Sequence, residues 1–243
     1  GGGGGGGGSG GGAGGGAMIR GGLMLNCRIT GNRATYSLDA NGDGGGVYIT
    51  GGSLVNCTVA SNSCNGARTG GGVYKTGGVV TNTIVFGNKQ GSGDQNINSS
   101  GTNGFFFSCS PDLAPDPAGT HNINQDPLFT DAVAGDFRLD AGSPCIDAAT
   151  NLPAVTRDLD GIARPMDGND DGIANLDMGC YEAPDATSGV LRCTFSAPTN
   201  AGLLSLQTVL SASAAGADRT VTWYGWDFDN DGSFERSGAG LAS

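Results

Sequence analysis

Acidic residues set two apart and closed by a glycine are the first candidates for chemistry in this sequence. Three such clusters occur: Asp39, Asn41 and Asp43 before Gly44; Asp167, Asn169 and Asp171 before Gly172; and Asp227, Asp229 and Asp231 before Gly232. Oxygen donors at the first, third and fifth positions, with glycine next for a sharp turn, reproduce the first half of a calcium loop. Hard, negatively charged oxygen ligands suit Ca2+ and not a transition metal. None of the three has the bidentate Glu that would complete the loop; in the middle cluster Met178 stands there, with Asp177 one residue earlier. Ca2+ is therefore the one cofactor these residues suggest, held by Asp167, Asn169, Asp171 and Asp177 or by Asp227, Asp229 and Asp231. The plain alternative is that Asp, Asn and Gly make turns.

Other chemistry is thinly represented. Glycoside hydrolysis needs two carboxyl groups about 5–9.5 Å apart. The nearest approach to such a constellation is Asp158, Asp160 and Asp167 with Arg164, for which a salt-bridged or calcium-bound structural role is the simpler reading. There is no Gly-x-Ser-x-Gly, and the single His121 lies in a turn-like segment. The seven cysteines form no Cys-x-x-Cys pair, which argues against structural zinc. No catalytic residue is assigned.

The elements that must position these loops are repeats. GGGVYITGGSLVNCTVASN (44–62) returns as GGGVYKTGGVVTNTIVFGN (70–88), and an earlier copy, GGGAMIRGGLMLNCRITGN, spans 14–32. No copy can bury a core alone, so the three must stack. Apolar residues alternate over short stretches punctuated by Gly-Gly, a strand period broken by turns. About 26 residues with two or three short strands fits one turn of a parallel β-helix, whereas a propeller blade needs about 40. The expected fold is all-β: a right-handed parallel β-helix over 14–183, after a Gly-rich lead-in at 1–13. A linker at 184–189 precedes a small, partial β-domain at 190–243, where ordinary strand alternation resumes.

Superposing the copies predicts columns: Ala17, Val47, Val73; Met24, Leu54, Val80; Ile29, Val59, Val85; and Asn26, Asn56, Asn82. A stacked amide both donates and accepts, and at a strand spacing of about 4.8 Å each can bond the next, so Asn26, Asn56 and Asn82 are expected to form a ladder. Asn also tolerates the left-handed backbone of a corner. Cys27 and Cys57 share a column with Thr83, either as a bonded pair or as small inward residues. The aligned repeat segments carry no Asp or Glu. Tyr48 and Tyr74 share a column that would be a small aromatic platform for a sugar.

Glycine supplies 48 of 243 residues, with no strict triplet period, so collagen is excluded. A net charge of −11 disfavours nucleic acid and anionic membranes as partners. No apolar run reaches the roughly 18 residues of a membrane span. The chain opens inside a glycine tract without Met and is read as a portion of a longer protein.

The stretch DPLFTDAVAGDFRLDAGSPCIDAA, followed by DLDGIARPMDGNDDGIANLDMGCYE, resembles the ending of bacterial surface β-helix proteins of the choice-of-anchor Q type, relatives of pectin-lyase-like repeat proteins. The likeness covers about 14–183. It implies export and display at a bacterial surface or secretion, with no enzymatic activity attached. Cys145 and Cys180 stand where that family has alanine, and two matched departures in neighbouring motifs make them disulfide candidates. The tail around WDFDNDG looks like a PKD-type immunoglobulin-like domain. Together these point to a structural or adhesive protein that associates end to end into filaments, with the C-terminal acidic block capping one end of the stack. The alternative is a polysaccharide-binding or polysaccharide-cleaving β-helix that meets a cell-surface glycan.

Overall fold

The computed structural model describes residues 14–34, 43–65, 69–98, 102–114 and 119–184, and the backbone of four further strands between 192 and 238. The chain divides into two units, Gly1–Ala183 and Pro184–Ser243. Every regular element among the described residues is a strand.

Each repeat contributes four short strands. The first gives β1 (Ala17–Ile19), β2 (Leu23–Leu25), β3 (Arg28–Thr30) and β4 (Arg33–Ala34). The second gives β5 (Val47–Ile49), β6 (Ser53–Val55), β7 (Thr58–Ala60) and β8 (Ser63–Cys64). The third gives β9 (Val73–Lys75), β10 (Val79–Thr81), β11 (Ile84–Phe86) and β12 (Lys89–Gln90). A hairpin strand, β13 (Gly93–Asp94), runs antiparallel to β12, and β14 (Phe105–Phe106) adds in parallel to β10. The result is four sheets in the orders β1-β5-β9, β14-β10-β6-β2, β11-β7-β3 and β13-β12-β8-β4. Between repeats the pairing is parallel throughout, and its registers are the columns expected from the sequence: Ala17 on Val47 on Val73, Met24 on Leu54 on Val80, Ile29 on Val59 on Val85. Ile97, Phe105 and Cys109 pair with Val73, Val80 and Ile84, so these residues add a fourth layer.

Strands of three residues need sharp corners between them, and the corners recur in column. Asn26, Asn56 and Asn82 have φ of 49°, 47° and 52°, and Gly44 and Gly70 have 73° and 70°. Tight stacking sets a second demand. A Cβ on Gly45 would overlap the Gly71 carbonyl oxygen and the Ser63 backbone, so the layers close only over a bare backbone there. Inside, Val47, Ile49, Leu54, Val59, Val73, Val80, Val85 and Phe105 are buried as one core.

The sheet β11-β7-β3 is covered on both faces over its second and third repeats. Its inward residues join that core. Its outward residues, including Ala60, Ile84 and Phe86, are covered by residues 129–183. This cover begins with an antiparallel hairpin of β15 (Phe129–Asp131) and β16 (Asp136–Leu139). Phe129 stands edge-on to Phe86 at 6.2 Å and to Phe137 at 5.2 Å, which fixes the hairpin to the third repeat. The rest of the block is turns. The expected end cap is thus a side cover: it reaches all three repeats along one flank. It lies there because the outward third-sheet column grows apolar, from Arg28 through Thr58 to Ile84.

In the second unit β17 (Arg192–Phe195) pairs antiparallel with β18 (Leu210–Ser213), and β19 (Tyr224–Trp226) with β20 (Arg236–Gly238). No helix among the described residues is long and apolar enough to cross a membrane.

Candidate functional site

The chemistry-bearing residues gather where the acidic block meets the corner column Asn26, Asn56, Asn82. That column is not the amide ladder expected of it. One rung exists, Asn82 Nδ2 to Asn56 Oδ1 at 3.3 Å. The other amides turn outward: Asn26 donates to the Arg157 carbonyl (2.7 Å), Asn56 to that of Asp177 (3.4 Å) and Asn82 to that of Thr150 (2.8 Å). Asn82 Oδ1 also accepts the Thr150 amide at 3.0 Å. A left-handed corner aims its side chain away from the core, so these amides dock the block instead.

The true ladder is the next Asn column. Asn32 Nδ2 donates to Asn62 Oδ1 (3.0 Å), Asn62 Nδ2 to Asn88 Oδ1 (3.0 Å) and Asn88 Nδ2 to Asn96 Oδ1 (3.1 Å). Each of these oxygens also accepts the backbone N–H one layer up, at 2.9 Å. Both columns are equally regular in the sequence. Only the direction of the corner decides which faces inward.

The block itself is held by buried carboxylates that grip backbone N–H groups. Asp158 accepts from Asp160 (2.9 Å) and Ile162 (2.7 Å) with Oδ1, and from Glu182 (3.0 Å) with Oδ2. Glu182 accepts from Met166 (3.0 Å) and Asp177 (3.1 Å). Asp177 accepts from Asp147 and Ala183. Arg164 lies among them with its guanidinium fully buried, Nε 3.0 Å from Glu182 Oε2 but out of hydrogen-bond alignment. Its Nη2 donates to the Gly179 carbonyl at 3.0 Å. Burial, and then the neighbouring Glu182, push the Asp177 carboxyl up to about 8. Burial pushes Glu182 up to about 7 against the opposing pull of Arg164. Carboxylates do here what a ladder does in a sheet: they satisfy buried backbone donors where no strand runs.

The four residues Asp158, Asp160, Asp167 and Arg164 do not converge on one site. Asp158 and Arg164 are structural and buried. Asp160 is bound by the Arg138 guanidinium, which also lies over the Tyr181 ring at 5.1 Å. Asp167 sits apart in an exposed loop.

That loop closes on its own backbone. Asp167 accepts from Asp171 (3.1 Å) and Gly172 (2.8 Å), Asn169 accepts from Asp171 (2.9 Å), and Asp171 accepts from Ile173 (2.8 Å). Asp147 anchors it, accepting from Asn169 (2.9 Å) and Asn175 (3.0 Å). Asp177 is not part of it, being turned into the buried knot. Among the described residues no three carboxylate, thiol or imidazole groups converge to hold a metal. Asp43 accepts the Thr69 amide of the next repeat at 3.0 Å. Asp39, Asn41, Asp227, Asp229 and Asp231 lie outside the described residues. Calorimetry with excess chelator tests this loop: a thermal midpoint that falls by several degrees and is restored by Ca2+ puts a metal there, and an unchanged midpoint removes it.

The remaining candidates are placed as follows. Cys145 and Cys180 are free thiols in separate apolar clusters, so the expected bridge is not formed. Cys145 instead shares its cluster with Cys109, and Thr58 Oγ1 accepts the Cys180 amide at 3.1 Å. Tyr48 and Tyr74 stack at 4.9 Å with 19° between planes. Stacking spends one face of each ring on the other. His121 stacks on Phe107 at 4.6 Å. Asp147, Glu182 and Arg138 were not singled out by the sequence reading; Asp147 and Glu182 gave a signal only as the acids in CIDAA and CYE.

No protein-family profile, curated protein sequence or solved structure matches the chain.

Proposed function

We propose that residues 14–183 form a right-handed parallel β-helix whose role is structural or adhesive, at a bacterial surface or in secreted material, joined to a PKD-like β-domain. The observation that carries this reading is the use made of the polar residues. In the repeats they form an amide ladder and corner contacts. In the block, the buried acids hold backbone. The likeness of the acidic ending to choice-of-anchor Q proteins supports the same reading.

Among the described residues, β1 to β4 each pair on one side only. An open parallel edge invites strand addition, and a second copy stacked on it would repeat without closing. Negative-stain electron microscopy of the full chain is expected to show end-to-end filaments; dispersed monomers at high concentration would remove the assembly. A glycan array and a reducing-sugar assay separate this role from the polysaccharide alternative. Specific glycan binding or release of reducing ends would replace the structural reading.

A further inference from the structure

The column that follows the corner asparagines runs Cys27, Cys57, Thr83, Ser108. Thr83 Oγ1 donates to the carbonyl two residues back, Thr81, at 2.9 Å, and Ser108 Oγ does the same to Phe106 at 2.9 Å. Cys27 and Cys57 make the equivalent bonds to Leu25 and Val55, each at 3.1 Å. The last three side chains also accept the amide of the layer before: Cys57 Sγ from Cys27 (3.4 Å), Thr83 Oγ1 from Cys57 (3.4 Å), Ser108 Oγ from Thr83 (3.2 Å). A hydroxyl therefore performs the whole structural task of this column. Sulfur is not required for it, yet sulfur occupies two adjacent layers.

Adjacency is what a thiol pair needs. The flanking residues Leu25 and Val55, and Arg28 and Thr58, are in register on neighbouring parallel strands. Strands so paired stand about 4.8 Å apart, inside the Cα range of about 4.4–6.8 Å that disulfides span. The pair is also unequal. Cys27 is half-buried in the first repeat, whereas Cys57 is fully buried beneath it. The Cys57 thiol hydrogen-bonds Cys27 and holds it down at about 6, while burial keeps Cys57 well above the ordinary thiol range. A half-exposed thiol of lowered value above a fully buried one is the division of labour of an attacking and a resolving cysteine.

We propose that Cys27 and Cys57 are a redox-active dithiol that low-molecular-weight disulfides oxidise, with Cys27 attacking and Cys57 resolving. The Cys27 thiolate attacks one sulfur of the disulfide, forming a mixed disulfide and expelling one thiolate. Cys57 then gives its proton to that thiolate or to water and attacks the Cys27 sulfur. The Cys27–Cys57 bond forms, the mixed disulfide breaks and a second thiolate leaves. The protein loses two electrons, and the small disulfide is reduced to two thiols.

Oxidised glutathione is the probe, with the native full chain and tryptic mapping under non-reducing conditions. Wild type is expected to yield peptides linked Cys27 to Cys57, with fragmentation separating Cys57 from Cys64. Cys57→Ser should stop at a glutathione adduct on Cys27. Cys27→Ser should leave Cys57 unmodified while folded. Adduct formation by Cys57→Ser should need a higher pH than oxidation of wild type, because the substitution removes the thiol whose hydrogen bond lowers Cys27. Thr83 and Ser108 show that a hydroxyl keeps the column's bonds, so both variants should melt as wild type does. The absence of the Cys27–Cys57 linkage in oxidised wild type overturns the proposal without recourse to any variant. So does a glutathione adduct at Cys27 that persists with Cys57 present, or equal reactivity of Cys57 in Cys27→Ser.

Discussion

Replacing Arg164 with methionine lowers stability by about 3–5 kcal/mol at pH 8, and by clearly less at pH 5. Arg164 and Glu182 are an ion pair with both side chains fully buried. Removing one partner leaves a charge that neither water nor protein compensates. The pH dependence follows from Glu182, which titrates at about 7 with the guanidinium beside it. Without that positive charge its carboxyl moves higher still. At pH 5 Glu182 is protonated in both proteins, and the variant loses only the packing of Arg164 and its bonds to Gly179 and Asn26. Above pH 7 the wild type holds an ionised, paired Glu182, whereas the variant must bury an unpaired carboxylate or keep a proton the solvent no longer favours.

The wild type carries its own pH signature. Both Asp177 and Glu182 have folded values raised above the ordinary range, to about 8 and about 7. The stability they contribute is full below about pH 4, where the unfolded chain is protonated too, and is lost as pH rises through 7 and 8. The thermal midpoint should thus fall from pH 5 to pH 8, and Asp177→Asn should flatten that fall. Differential scanning calorimetry at the two pH values reads all three proteins. An equal loss for Arg164→Met at pH 5 and 8 would mean the residue acts by packing and not by charge.

Asn62→Ala has the second large effect, about 3–5 kcal/mol, because one amide serves five partners in the stack. Its oxygen accepts the Asn32 backbone N–H (2.9 Å) and side-chain amide (3.0 Å). Its nitrogen donates to Asn88 Oδ1 (3.0 Å), Ala60 O (3.0 Å) and Ile29 O (2.8 Å). Truncation strands several of these groups away from water at about 1–3 kcal/mol each, with partial relaxation. Asn26→Ala is the comparison. Asn26 is less buried and forms its main bond with Arg157, so its loss should be about 1–2 kcal/mol, including the strain of alanine at a positive φ. Denaturant unfolding orders the two; an Asn26→Ala loss as large as that of Asn62→Ala would return the ladder to the corner column.

The repeat phrase by itself determined strand type, layer length and register. Alternation, Gly-Gly punctuation and column identity are local properties, and a parallel stack of near-identical layers leaves only one register that keeps every apolar column inside. The corners were legible for the same reason, because Asn and Gly at a fixed offset satisfy a backbone demand that needs no distant partner. The side cover was not legible. Outward residues on one sheet turned apolar from repeat to repeat, but nothing local says what will cover them. The acidic ending was open to two readings for a related reason. Spacing two apart is shared by cation loops and by turns that grip backbone N–H groups, and only burial tells them apart. Tertiary structure therefore decided which asparagines form the ladder, which carboxylates are buried, and that Cys145 lies against Cys109 and not against Cys180. Each of these depends on where the repeats and the acidic block come to rest against one another, which the order of residues along the chain does not encode locally.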